Sequence, residues 1–271
     1  MIILIHTSKT MREPVENTGS ISKPELLSNT KILDNYLKTL SVKQLKTTMH
    51  ISQKLADITH ALIANWTDDQ DQQNPTIDSF LGDIYSGLQV PTWTEDDRKY
   101  ANKRLRILSG LYGILRPLDG IYPYRLEMGY RLPSKKLSNL YNFWGNSIAK
   151  TLPKDALIIN LAAVEYSKAI TNYIDEKRII TPRFLTVESE TKEPTFVVVH
   201  AKIARGAFAW WLIKNKIDDI NEFRHFQDLG YSYNQKLSTP NSPVFVCETF
   251  GGTGLSIRLK GRTSNQNKLS I

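Results

Sequence analysis

The sequence predicts a mixed α/β fold in a single compact domain over residues 1–250, with a mixed sheet surrounded by helices. Three observations carry this expectation. Apolar runs of strand length occur at 2–5, 157–161, 184–187, 195–200 and 244–247. Amphipathic stripes with capping residues at their starts lie between them. The two kinds of segment do not alternate at the spacing of a doubly wound parallel sheet, and no linker or internal repeat divides the chain. At 271 residues the chain can bury a substantial core.

Taken in order, residues 2–5 read as a buried strand that runs into the polar loop His6-Thr7-Ser8-Lys9-Thr10. Residues 12–34 are polar and broken by Pro14, Gly19 and Pro24. Ser41 opens a helix, with Gln44 completing a capping box and Leu40 placed to staple against Leu45. Leu55, Ile58 and Leu62 continue the stripe as far as Trp66. Thr94 and Asp97 form a second capping box. The helix it starts has Ala101, Leu105 and Leu108 as its apolar face and Lys99, Lys103, Arg104 and Arg106 opposite, and it ends in a glycine turn at 109–113. A further helix over 203–213 follows the fourth strand. Residues 251–271 are polar, basic and without pattern, and are expected to form a disordered tail.

Charge is the most uneven property of the chain. Residues 98–136 hold ten basic side chains against Asp119 and Glu127, a net +8 that equals the charge of the whole chain. Such local asymmetry points to an anionic partner, because a surface built for solubility intersperses the two signs. No apolar run is long enough to cross a bilayer, and the amino terminus lacks the basic and cleavable parts of a secretion signal. The single cysteine, Cys247, excludes an intrachain disulfide and fits a reducing compartment. The expected setting is cytoplasmic, with no membrane partner and a monomeric state.

The chemistry is narrowed mostly by exclusion. The histidines are scattered without ligand spacing, so no metal and no cofactor are expected. The Gly251–Gly254 run lacks a Walker ending, and no serine sits in a nucleophile elbow. Three polar clusters at strand ends stand out: Lys9 with Thr7, Ser8 and Thr10; Asn160 with Glu165 and Tyr166; and Lys202 with Arg205. Their convergence would make a pocket with Glu165 or Tyr166 as general acid or base, whereas each taken alone is an ordinary cap or turn. Gly110 and Gly113 suggest a helix-hairpin-helix-like element that turns backbone N–H groups toward phosphate. Two residues separate these glycines where the usual hairpin has one, so a plain helix connection stays open.

The run Leu105-Arg-Ile-Leu-Ser-Gly-Leu-Tyr-Gly-Ile-Leu-Arg-Pro-Leu-Asp119, followed by Pro123-Tyr-Arg-Leu-Glu-Met-Gly129, resembles the signature of the YaaA-type peroxide-stress-resistance family. Further matching blocks are Gly82-Asp-Ile-Tyr-Ser-Gly-Leu88, Leu140-Tyr-Asn-Phe-Trp-Gly145, Ile159-Asn-Leu-Ala162 with Glu165-Tyr166, and Ala204-Arg-Gly206. The resemblance implies a cytosolic bacterial protein that limits iron-dependent peroxide damage, with a basic cleft, a helix-hairpin-helix-like element and affinity for duplex or locally opened DNA. The loop after the first strand departs from the family's Ser-Pro-Ala-Lys-Thr, keeping Lys9 and Thr10 but not the proline.

Two functions are therefore expected. In the first, Lys103, Arg104, Arg106, Arg116, Arg125, Arg131, Lys202 and Arg205 contact DNA phosphates, with Gly110 and Gly113 supplying backbone donors. In the second, Lys9, Asn160, Glu165, Tyr166, Lys202 and Arg205 build the pocket of an enzyme acting on a small anionic or nucleotide-like substrate. A carboxylate such as Glu127 inside a phosphate-binding surface favours the second.

Overall fold

The structure, a computed structural model, describes residues 1–13, 21–252 and 268–269. Ile2–His6 is the middle strand of a five-stranded sheet, and all five of its residues are buried. Burial on both faces is what an unbroken apolar strand requires. Leu105–Ser109 and Ile158–Asn160 flank it, both parallel to it, with Ile5 opposite Ile107 and Leu4 opposite Asn160. Ile179–Ile180 extends the sheet in parallel on one side, and Gly113–Leu115 closes the other side antiparallel to Leu105–Ser109. The three central strands run the same way, so their carboxyl ends share one edge. In α/β architectures ligands gather at that edge.

A second sheet runs in the order Pro194–Thr195, Arg183–Val187, Val244–Cys247, Tyr231–Tyr233. It is covered by the long helix Val198–Lys214, whose Phe208 lies 5.8 Å from Phe184, 5.2 Å from Phe245 and 5.0 Å from Phe226, ring centre to ring centre. The same helix crosses Asp83–Leu88 at backbone contact. A Cβ on Gly87 would collide with the carbonyl of Ile203, and one on Gly206 with the carbonyl of Ile84. Two of the signature blocks are thus the two halves of one crossing, and it places Lys202 and Arg205 against the edge of the central sheet.

The glycine turn is a correction to the sequence reading. Helix Glu95–Arg104 stops where its apolar face was expected to continue, and Leu105–Ser109 is a strand. It pairs with Gly113–Leu115 as a β-hairpin, with Ile107 opposite Leu115 and Ser109 opposite Gly113. Three apolar positions were too few to separate a helical period from a strand, and the bare edge of Ile2–His6 decides for the strand. Ser109 Oγ accepts the Tyr112 N–H at 2.9 Å and lies 2.6 Å from the Tyr124 hydroxyl. Gly113 has φ +71°, and both glycines are buried, with Gly110 against the carbonyl of Leu126. The helix-hairpin-helix reading of this turn does not hold.

Three smaller differences follow from non-local packing. The strand expected over 195–200 ends at Thr195, and the long helix begins at Val198, five residues before the expected start. The stripe ending at Trp66 is two helices, Val42–Met49 and Gln53–Ala64, interrupted at His50 in the left-handed region (φ 51°). The first starts on the expected cap, Ser41, and the second on Ser52, whose side chain accepts the Leu55 N–H. The expected disordered tail lies mostly outside the described residues; Lys268–Leu269 pairs antiparallel with Thr10–Arg12.

Candidate active site

The carboxyl edge of the central sheet opens on a cavity of about 380 Å³. Its floor is the end of the first strand. His6 is buried, and its Nδ1 accepts the Ala163 N–H at 3.2 Å. Its ring centre lies 5.0 Å from that of Tyr166. Burial first, then the nearby charges of Arg205 and Lys202, push its pKa down to about 3, so the imidazole stays neutral. With Nδ1 accepting, the proton belongs on Nε2. Thr7 then donates its hydroxyl to the Tyr166 phenol oxygen at 3.2 Å.

Three acidic residues line the cavity, Asp83, Glu127 and Glu165. Glu127 is nearly enclosed, with a side chain 12% exposed, and its Oε2 lies 4.0 Å from Lys9 Nζ. Burial raises its pKa; Lys9 opposes the rise, Glu165 adds to it, and a hydrogen bond with Tyr166 opposes it. Burial also raises the Tyr166 phenol, and the Glu127 charge raises it further. Glu165 stands at the start of helix Val164–Thr171, with Oε1 accepting the Gly129 N–H at 2.8 Å. A Cβ on Gly129 would meet that oxygen at 2.9 Å, so a side chain there would push the Glu165 carboxylate aside. Tyr141 donates its hydroxyl to the Glu165 backbone carbonyl at 2.7 Å. The segments 123–129, 140–145 and 165–166 of the signature therefore meet at one residue, Glu165, through its carboxylate and its backbone carbonyl.

Of the residues expected to form a pocket, Lys9, Glu165, Tyr166 and Lys202 line the cavity. Arg205 sits one helical turn beyond Lys202, largely buried, with its guanidinium 6.0 Å from the Phe196 ring centre. Burial lowers its pKa, and among the described residues no carboxylate pairs with it. Asn160 does not reach the cavity. Its Oδ1 accepts the Ala162 N–H at 3.2 Å and its Nδ2 donates to Thr181 at 3.3 Å, so it caps the strand end. Sequence reading placed Thr7 in the polar cluster after the first strand but missed His6 as a site residue; its place directly after an all-apolar strand was the available signal.

The residues expected to hold phosphate are spread over separate places. Arg104 bonds Asp218 at 2.8 Å and the Met1 carbonyl at 3.2 Å, at the amino edge of the sheet. Arg106 donates to the carbonyls of Leu105 and Asn102 at 2.9 and 3.1 Å. Arg116 holds Asp119 with two nitrogens, at 2.8 and 3.0 Å, and has Glu25 at 3.9 Å. Outside that set, Arg98 forks onto Asp78 at 2.7 and 2.9 Å, and Lys99 pairs with Glu95. Arg125 is buried, and Gly110 and Gly113 are covered. Lys103 and Arg131 remain exposed. The +8 of this segment is thus partly answered by acids from elsewhere in the chain. Among the described residues no group of three metal-ligating side chains converges, and no helix is long and apolar enough to cross a membrane.

Residues 1–237 match the family described as Peroxide stress protein YaaA. The chain belongs to that family. A UPF0246 protein of Salinispora tropica is 54% identical over 258 residues, covering 95% of this chain and 98% of that protein. A UPF0246 protein of a Marinomonas species is 40% identical over 257 residues, covering 91% and 96%. One from Clostridium perfringens is 39% identical over 254 residues, covering 91% and 99%. The matched span includes every residue of the cavity, so the site lies inside the part of the chain that the family shares.

Proposed function

We propose that this member of the peroxide-stress family is an enzyme that acts by acid–base chemistry on a small anionic, nucleotide-like substrate in the cavity at the carboxyl edge of the central sheet. The observation that carries the reading is the pairing of Glu127 and Glu165 across one floor in different surroundings. Burial favours the protonated form of Glu127, which suits a proton donor, while Glu165 is held as an acceptor by the Gly129 N–H. Two carboxyl groups whose environments differ in this way divide the roles of acid and base. Thr7, Tyr166 and Glu127 form a hydrogen-bonded series along which a proton can be relayed to Glu127. Lys9 and Lys202 flank the cavity and supply positive charge for an anionic substrate, and Phe196 beside Arg205 offers an exposed ring for a flat group.

The test is a binding and turnover screen of the full chain against nucleoside phosphates and sugar phosphates. Glu127→Gln keeps the shape of the site and is expected to bind the substrate as well as the unaltered protein while losing roughly 10²–10⁴-fold in turnover. Lys202→Ala combined with Arg205→Ala is expected to lose binding. If no compound in the screen binds at millimolar concentration, or if Glu127→Gln turns substrate over normally, this reading fails.

A second reading, binding of DNA with low sequence specificity, is favoured by one observation. Helices Val42–Met49 and Gln53–Ala64 form a helical hairpin with a three-residue connection, and Lys43, Lys46 and Lys54 are exposed on it. Such a hairpin can meet a phosphate backbone through helix N-termini and lysines.

A further inference from the structure

His6 has one ring nitrogen that the protein uses and one that it leaves over. Nδ1 accepts the Ala163 N–H at 3.2 Å, and the backbone carbonyl accepts the Tyr85 hydroxyl at 3.2 Å. Among the described residues nothing bonds Nε2. The side-chain atoms that are both sealed from solvent and unpartnered among those residues are Arg12 Nε, the Tyr36 hydroxyl, and Nε and Nη1 of Arg125. Nε2 of His6 is not one of them, so it keeps an open face. His6 lines the cavity, and with the residue only 9% exposed that is the space Nε2 meets.

The fold fixes what this atom can offer. Ala163 is the capping residue of helix Val164–Thr171, and its N–H points at Nδ1, so a proton on Nδ1 would meet another proton. The ring is therefore neutral with its hydrogen on Nε2. The Tyr166 ring, 5.0 Å away and tilted by 30°, holds the imidazole plane from one side. Nε2–H has no lone pair left, so it takes an oxygen and refuses an amine or an N–H group. A buried donor with no acceptor is costly, which favours a ligand that supplies one. The charges of Lys202 and Arg205 act on the ring, and Tyr166 joins it to Glu127 through a hydrogen bond. An oxygen bound at Nε2 stands within reach of those cations' field and beside the acid.

We infer that His6 is a ligand-contacting residue: its Nε2–H donates a hydrogen bond to a phosphoryl or carboxylate oxygen of the ligand at the cavity floor. A neutral imidazole suits this, because it stabilises charge growing on that oxygen without surrendering its proton. The inference rests on the cavity reading and deepens it. It adds a fixed, uncharged donor to the positive charge of Lys9 and Lys202, and it requires the ligand to present an oxyanion at the floor.

The direct observation is the imidazole ¹⁵N spectrum of the full chain, with the His6 signals assigned by their loss in His6→Asn, during titration with inorganic phosphate, pyrophosphate, acetate and succinate. The free protein is expected to show the hydrogen on Nε2, and the effective anion to shift Nε2 saturably. Comparison of the phosphates with the carboxylates identifies the oxyanion. Two substitutions then separate the two nitrogens. His6→Asn puts Oδ1 in the place of Nδ1 and keeps the Ala163 bond, but has nothing at the Nε2 position; it is expected to bind the anion about 10-fold more weakly. His6→Gln reaches the Nε2 position with an amide N–H and gives up the Ala163 bond; it is expected to bind within about 3-fold of the parent. A purely structural histidine predicts the reverse order. The inference is overturned if the hydrogen resides on Nδ1, or if His6→Asn binds as tightly as the parent. It is also overturned if the Nε2 signal stays still while Lys202→Ala/Arg205→Ala abolishes anion binding, a result that leaves the cavity reading standing. Absence of binding by all four anions overturns it together with that reading.

Discussion

His6 shows how a single side chain couples the site to stability. It ends the central strand, so its backbone is committed to the sheet and its ring has to lie under the cavity floor, where Arg205 and Lys202 add to the cost of charging it. Its pKa falls from 6.5 to about 3 on folding, so the unfolded chain takes up a proton in a range where the folded chain does not. The stabilisation is complete above about pH 6.5 and is lost as pH falls from there toward 3, by at most about 1.4 kcal/mol per pH unit. His6→Asn offers Oδ1 to the Ala163 N–H and cannot titrate. Denaturant melts of both proteins between pH 7 and 4 are expected to show the unaltered chain losing stability more steeply; parallel curves would place the imidazole in water. The polarity of Glu127 is set by the same means, through enclosure, and its neighbours in sequence gave only a hint of it.

Among the elements, the crossing of Asp83–Leu88 with Val198–Lys214 decides whether the site exists at all. Gly206→Ala within a helix would ordinarily help by about 1 kcal/mol through helix propensity. Here the new methyl group would meet the Ile84 carbonyl, which is backbone and cannot rotate away. The two helices would have to separate, at a cost of about 3 kcal/mol or more. The net prediction is destabilisation, with a melting temperature lower by about 4 °C or more and weaker ligand binding, since Lys202 and Arg205 ride on that helix. A Gly206→Ala protein as stable as its parent would show that the crossing is looser than backbone contact. The β-hairpin at 105–115 works differently. Its polar atoms are satisfied inside, with Tyr112 accepting from Trp66 Nε1 at 2.9 Å and from the Tyr122 N–H at 3.2 Å, so its signature residues build the core behind the site and do not present it.

For the whole molecule, the question is whether the net +8 acts as one field. Lys103, Arg131, Lys135 and Lys136 are exposed, but Arg98, Arg104 and Arg116 are each held by an acid. If six cations of 98–136 met phosphates, the log–log dependence of DNA affinity on salt would have a slope near −5. Contact through Lys43, Lys46 and Lys54 on the helical hairpin predicts a slope near −3. Fluorescence anisotropy with duplex and bubble DNA distinguishes these, with Lys43→Glu/Lys54→Glu expected to abolish binding in the hairpin case. Affinity that vanishes at physiological salt removes the DNA reading and leaves the cavity as the functional part of the molecule.

The sequence by itself determined the mixed α/β class, the buried first strand, the capping boxes at Ser41 and Thr94, and the family to which the chain belongs. These are legible because period, capping chemistry and motif spacing are local, and both capping boxes close as their spacing required. It also named Lys9, Glu165, Tyr166 and Lys202, which line the cavity, because polar residues after strand ends gather at one edge of a parallel sheet. Only the tertiary structure decided that 105–115 is a hairpin of strands, that Asn160 is a cap, and that the basic segment is partly neutralised. Arg104 finds its acid 114 positions away, and no window along the chain holds both partners. The unequal surroundings of Glu127 and Glu165 belong to that second kind. Enclosure is made by every element that packs around a group, so its effect on charge exists only once the chain is folded.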